Sequence, residues 1–158
     1  MAGGPARVYH PPVTKTRIAV IAGAAFLGLQ LVPVSRTNPP VEATVAAPPE
    51  VLSILRRACF DCHSHETRWA APQSFVAPVS WLVAWDVAGG REEMNFSRWN
   101  AMSPKKLSKL AKKLPEEVEE KAMPPPIYLL AHPEARLTDA DRATLRAWGR
   151  TLADGSTP

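Results

Sequence analysis

The sequence predicts an all-α domain standing behind one N-terminal apolar helix. Three observations carry this. No stretch of the 158 residues sustains an alternation of period two. Apolar residues recur instead at helical spacing in several separate segments, each with a recognisable start or stop. Near the N-terminus, residues 18–34 (IAVIAGAAFLGLQLVPV) run 17 positions without a charge.

That uncharged run is at the short end of what spans a bilayer and longer than a usual signal-peptide core, so it reads as a retained transmembrane anchor. Arg7, Lys15 and Arg17 precede it with no acidic residue, and only Arg36 follows closely. The bias places residues 1–17 in the cytoplasm and the rest on the periplasmic side of the inner membrane. A cleaved signal and a buried core helix are the alternatives. Cleavage lacks a good small-residue site, because the run ends in Pro33-Val34-Ser35-Arg36 and Ala46-Ala47 leads into Pro48. Residues 35–49, with Pro39-Pro40 and Pro48-Pro49, read as a proline-rich tether reaching ~40 Å at about 3.1 Å per residue. Residues 50–158 form the domain. The net charge of +4 belongs almost wholly to the N-terminus, since from residue 18 onward sixteen basic residues face fifteen acidic ones. A nucleic-acid partner is thereby disfavoured.

Within the domain, residues 50–62 place Val51, Leu52, Leu55, Ala58, Cys59 and Cys62 on one helical face, with Arg56 and Arg57 opposite. A second helix starts at Pro78 or Val79 and is expected to stop at Gly89-Gly90. Ser103-Pro104 is a strong helix start. If 103–123 were one helix, lysines 105, 106, 109, 112 and 113 would crowd its positive end and glutamates 116, 117, 119 and 120 its negative end. A break at Pro115 removes the conflict, so two short helices are predicted. Thr138 opens the last helix, with Asp139 and Asp141 in its first turn and Leu145, Trp148 and Leu152 at helical spacing. Trp81, Trp85 and Trp148 read as core.

The only two cysteines lie in Cys59-Phe60-Asp61-Cys62-His63. On a helix, positions i, i+3 and i+4 share a face, which suits two thioether bonds to one porphyrin edge with an imidazole on the iron. A zinc ribbon lacks a second ligand pair, a thioredoxin-like dithiol lacks its βαβ context, and a structural disulfide leaves His63 unexplained. One covalently attached haem c, held by Cys59 and Cys62 and ligated by His63, is the reading that uses all three residues. For the second axial position Met123 leads, because Pro124-Pro125-Pro126 stiffens the segment that carries it. Met94, His132 and an open site are the alternatives. Met102 is a further candidate, and His65 lies too close to His63 to reach the opposite porphyrin face.

The strings CFDCHSHETRW, APVSWLVAWDVAGGREEMNFSRW and MPPPIYLLAHPEARLT resemble the membrane-anchored haem-binding domain family of cytochrome c-like monohaem proteins. The likeness runs from about Gln30 to Trp148. It implies a cytochrome c-like small helical domain around one covalently bound haem, with attachment at Cys59 and Cys62 and ligation by His63 and Met123. Two departures stand out. The family's aromatic Trp-Pro-Trp-Tyr segment is replaced by Trp69-Ala70-Ala71-Pro72-Gln73, and Lys121 stands where the family has a glycine two residues before the methionine.

With His63 and Met123 both bound, iron would change charge without changing ligands, which suits a carrier of single electrons and not an enzyme. Its partners would be the membrane, through the N-terminal helix, and a redox protein or membrane redox complex. A haem enzyme or gas/redox sensor with an open or labile sixth position, and a fixed relay subunit of a larger complex, are the rival readings. Three further expectations concern detail. His63 should donate its other ring proton to a carbonyl in the 71–78 loop. Arg68, Arg91 and Trp69 are candidates for propionate contacts, against ordinary surface and core roles. The lysines at 105–113 offer a docking patch for an acidic redox partner, against a merely solvated face.

Overall fold

The computed structural model describes residues 14–153. Among them the chain folds into seven α-helices, all-α as the sequence predicts, with one isolated parallel bridge between Ala43 and Arg98. Most of the expected cytoplasmic segment, residues 1–13, lies outside the described residues.

Helix α1 (Lys15–Leu29) is capped by Thr14, whose hydroxyl accepts from the Arg17 amide at 3.3 Å. None of its residues is buried. Its last turn tightens into i to i+3 bonds, Leu31 to Gly28 and Val32 to Leu29, and Pro33 keeps Val32 from continuing the helix. The expected 18–34 span is therefore helical only as far as Leu29. Fifteen residues reach ~22 Å at about 1.5 Å each, short of a ~30 Å hydrocarbon core. Among the described residues no helix is long and apolar enough to cross a membrane.

Of the expected 35–49 tether, residues 35–48 lie outside any helix, but they are no free spacer. The Glu42 and Ala43 amides bond to the Ser97 carbonyl, Val45 to Phe96, and the Trp99 amide returns a bond to Ala43. Asn38 donates to the Thr67 carbonyl at 2.9 Å, and Val45 is buried in the core. These backbone groups would otherwise need water, so pairing them on the domain satisfies donors that the prolines leave few of. The segment is a strap.

Helix α2 (Pro49–Ala58) starts on a proline and buries Val51, Ile54, Leu55 and Ala58. Cys59 leaves helical geometry (φ −127°, ψ −30°), and a single further turn, α3 (Phe60–His63), follows. The predicted 50–62 helix is thus two helices with Cys59 at the joint. Helix α4 (Val79–Glu93) runs straight through Gly89-Gly90, contrary to the expected stop.

Helix α5 (Pro104–Glu119) also continues past its expected break, with Pro115 inside it. Magnitudes explain why. The stripe Leu110, Ala111, Leu114 and Val118 stays buried on one face across the proline. Each large member contributes about 1.5–3 kcal/mol on burial, which together outweighs ~3 kcal/mol for an interior proline and about 0.3–1 kcal/mol for each exposed charge against the dipole. Several of those charges are also paired, Lys109 with Glu93 at 2.7 Å and Arg146 with Glu119 at 2.6 Å. Helix α7 (Asp139–Ala153) packs along α5 and meets it at Gly149, where a Cβ would lie 3.0 Å from Pro115 Cγ. Its start is a reciprocal cap: the Thr138 amide donates to Asp141 at 2.8 Å and the Asp141 amide to the Thr138 hydroxyl at 3.1 Å. Between α5 and α7 lies the short α6 (Tyr128–Ala131).

Beyond α5, the amides of Ala122 and Met123 both bond to the Glu117 carbonyl, and Lys121 adopts φ 59°. This is the left-handed close that glycine makes without steric cost. Lys121 therefore takes a conformation that glycine adopts more readily, and the loop bearing Met123 leaves the helix in that direction. Lys121→Gly is expected to stabilise the fold by about 0.5–1 kcal/mol, read as a raised urea midpoint. An unchanged or lowered midpoint would show that the lysine side chain contributes more than its backbone costs.

Candidate functional site

The two cysteines and His63 sit at the joint between α2 and α3. The Cys59 carbonyl accepts from the Cys62 amide at 3.3 Å and from the His63 amide at 3.0 Å. One tight turn thus carries all three residues. Behind it passes α4, closest at Gly90, where a Cβ would stand 2.6 Å from the Cys62 carbonyl oxygen. Only glycine fits there. Gly90 marks a close approach of two backbones, whereas a Cβ at Gly89 would meet open space, and the helix tolerates a cost of about 1 kcal/mol per glycine.

The same approach orients the imidazole. His63 Nδ1 donates to the Gly90 carbonyl at 2.8 Å, with the Met94 carbonyl at 3.3 Å. A carbonyl partner is what the sequence predicts, but it lies on α4 and not in the 71–78 loop. With Nδ1 carrying the proton, Nε2 keeps its lone pair for a metal. Burial lowers the His63 pKa, with the two carbonyls acting in the opposite sense, so the ring is neutral at pH 7. Phe96 packs edge-on against the ring at 6.3 Å and stacks on Phe60 at 5.2 Å. The Phe96 amide also bonds to the His63 carbonyl at 2.7 Å.

The turn opens into an apolar-walled cavity of about 290 Å³. Cys59, Cys62 and His63 line it on one side; Leu110, Leu114 and Val118 of α5 and the Met123-Pro124-Pro125 segment complete it. The structure therefore brings Cys59, Cys62, His63 and Met123 to one site. Met94 also lines the cavity, but its backbone lies on the Nδ1 side of His63. His132 does not: it stacks on Tyr128 at 4.2 Å and pairs with Glu134. Met102 packs against the core. His65 is buried between the Pro40 carbonyl (2.8 Å) and Asn95 (2.9 Å), a structural role.

Cys59 and Cys62 are not joined in a disulfide. Burial pushes Cys59 up to about 12, with Cys62 adding in the same direction, and pushes Cys62 up to about 11. A redox-active dithiol needs a depressed thiol pKa; these are neutral at pH 7, which weighs against that reading.

Between the cysteines, Asp61 ties the turn down. Its carboxylate accepts from the Arg68 amide (3.0 Å) and guanidinium (3.0 Å), and from the Tyr128 hydroxyl at 2.7 Å. Burial would raise its pKa, but the hydrogen bonds from Arg68 and Tyr128 outweigh that and hold it below the ordinary value. Through Tyr128 the haem-motif turn is clasped to the segment that follows Met123. Sequence reasoning missed this pair; an acidic residue inside Cys-x-x-Cys was the only signal.

The three residues considered for propionate contacts are engaged elsewhere. Arg68 is held by Asp61, Arg91 bonds to Ser64, Thr37, Asn38 and Thr67, and the Trp69 indole donates to Asn38. None of them lines the cavity, whereas Lys106, Lys109 and Lys113 do. Of the tryptophans expected in the core, Trp148 is buried, Trp81 is half-buried and Trp85 is 74% exposed.

Among the described residues, no cluster of three His, Cys, Asp or Glu side chains could hold a metal ion by itself. The donor set is one imidazole and one thioether at an apolar slot, which fits an iron whose remaining ligands come from a porphyrin. A helical domain built this way is a haem-binding protein. The chain belongs to the haem-binding domain family, whose pattern matches residues 24–151, from within α1 almost to the end of α7. No curated protein and no solved structure matches it.

Gly90→Ala forces α4 away from the turn and is expected to cost about 1–3 kcal/mol together with much of the haem content, read from absorbance per polypeptide. Full haem loading with unchanged stability would contradict the close-approach account. Asp61→Asn is expected to cost about 1.5–3 kcal/mol at pH 7. Because the folded-state pKa of Asp61 is depressed, its contribution is present above the unfolded value of about 3.9 and fades as pH falls through the folded value. Denaturation curves of the two proteins should therefore converge in acid; a gap independent of pH would remove the carboxylate from the explanation.

Proposed function

We propose that this is a membrane-anchored periplasmic monohaem c-type cytochrome that carries single electrons between redox partners and is not an enzyme. The observation that carries the reading is the meeting of Cys59, Cys62, His63 and Met123 at one apolar cavity, with His63 Nδ1 committed to Gly90. Haem, when bound, supplies a one-electron ferric/ferrous couple.

The chain's residues do the rest. Cys59 and Cys62 would hold the porphyrin edge as thioethers, each S–H being taken up by one vinyl group with no net change of oxidation state. His63 Nε2 and the Met123 thioether are the residues that would hold the iron. A thioether in place of a second imidazole favours the reduced state and raises the potential. Leu110, Leu114 and Val118 exclude water, which keeps reorganisation small. The Gly90 carbonyl raises the basicity of the imidazole through Nδ1–H and fixes its plane.

Anchoring is supported by α1, none of whose apolar side chains is buried, although its helical stretch is shorter than a bilayer core. Two rival readings keep a specific observation each. Met123 is 39% exposed, which suits a labile sixth position and hence a sensor. Lys106, Lys109 and Lys113 at the cavity mouth suit docking to an acidic redox partner, whether transient or as a fixed relay.

Protein matured in a host that attaches haem c should gain the mass of one haem, and its ferric spectrum should be low-spin with a sulfur-to-iron charge-transfer band. Met123→Ala should abolish that band and leave the added mass. High-spin iron in the unaltered protein that binds carbon monoxide would favour the sensor, and an unmodified polypeptide mass would rule out covalent attachment.

A further inference from the structure

We propose that the surface formed by residues 75–85 lies on the lipid bilayer beside α1, so that the mouth of the haem cavity is held at the membrane surface. This rests on the reading of α1 as an anchor.

Residues 69–85 (WAAPQSFVAPVSWLVAW) are 17 consecutive positions without a charge, bracketed by Arg68 and Asp86. In a water-facing helix the charged residues would point outward and the apolar ones inward. In α4 the arrangement differs. Its buried residues are Ser80 and Val87, whereas Val79, Leu82 and Trp85 form an exposed stripe at i, i+3, i+6. Phe75 and Val76 in the preceding loop extend that stripe and are also exposed. Five large apolar side chains on one exposed segment exceed what a water-bathed surface usually carries without a binding role.

The end of α1 says what covers it. Gln30, the residue that closes α1, is bonded twice to Ala77: the Ala77 amide donates to its side-chain oxygen at 2.9 Å, and its amide nitrogen donates to the Ala77 carbonyl at 3.4 Å. Arg36 places its guanidinium 4.8 Å above the Phe75 ring. The exposed stripe thus begins where the exposed apolar helix ends. A medium that dissolves Ile18, Ile21 and Leu27 has its boundary at Ala77, so the stripe meets that medium too. Trp85 and Phe75, with Arg36 beside them, are the side chains that settle at the level of lipid headgroups.

The same face of α4 continues to Asp86 and Gly89, and both line the haem cavity. Seating the stripe on lipid therefore turns the cavity mouth toward the bilayer surface, within reach of a redox partner embedded in that membrane.

The test uses the full haem-loaded chain in vesicles of phosphatidylcholine and phosphatidylglycerol. A photoreactive benzophenone side chain is placed in turn at Leu82, at Ile21 of α1 and at the exposed Lys112 of α5, with haem absorbance checking the fold. After illumination, intact mass should show lipid adducts at 82 and 21 and none at 112. Adducts at 21 but not at 82 would overturn the inference and leave the anchor standing. A second polypeptide captured at 82 would replace lipid with a protein interface and likewise overturn it. No lipid at 21 would remove the anchor and, with it, this proposal.

Discussion

The site depends on one close passage, α4 across the back of the α3 turn at Gly90. That contact sets three things at once. It brings a carbonyl to His63 Nδ1 at 2.8 Å, presses against the Cys62 backbone, and thereby fixes how the cysteines and Nε2 face the cavity. A backbone carbonyl is a partner that side-chain variation on α4 cannot remove, but any side chain at position 90 would displace it. The aromatic run extends the constraint inward. Phe60 stacks on Phe96, Phe96 on Trp99 at 6.3 Å, and Trp99 on Trp148 of α7 at 6.0 Å. Movement of the turn is thus resisted by the packing of the last helix.

The second half of the site is held by different means. Met123 leaves α5 through the left-handed residue Lys121, enters three prolines, and is followed by Tyr128, whose hydroxyl reaches the Asp61 carboxylate. The chain therefore returns to the haem-motif turn five residues after the candidate ligand. Stiff backbone and a charge-assisted hydrogen bond take the place that a packed helix has on the His63 side. Such a loop loses little conformational entropy on ordering, which suits a residue that remains partly exposed.

How much of this could be read in advance varies with the kind of interaction. The Cys-x-x-Cys-His string, the capping residues Ser103 and Thr138, and the buried stripes of α2, α5 and α7 are local patterns, and each names its element directly. Gly89-Gly90 was ambiguous because glycine both ends helices and admits close backbones; only the fold shows which use applies. Pro115 looked like a break because the dipole conflict is visible in sequence, while the burial that outweighs it depends on α7. The His63 partner, the Asp61–Tyr128 bond and the docking of residues 37–45 join positions 25 or more apart. Backbone acceptors in particular leave no trace in residue type. Trp85 departs from its expected core position for the opposite reason: helical spacing says which residues share a face, not which medium that face meets.

The strap has a practical bearing on where the folding unit starts. Helical periodicity alone would set its border at Pro49, yet Asn38, Glu42, Ala43 and Val45 supply bonds and buried surface to the segments around Thr67 and Ser97. A fragment trimmed to the first periodic helix would leave the Phe96 and Ser97 carbonyls and the Trp99 amide without their partners, and Val45's niche open to water. Any truncated form designed for solution work should accordingly retain the chain from before Thr37. The proline-rich stretch behaves less like a leash than like the outermost layer of the domain itself.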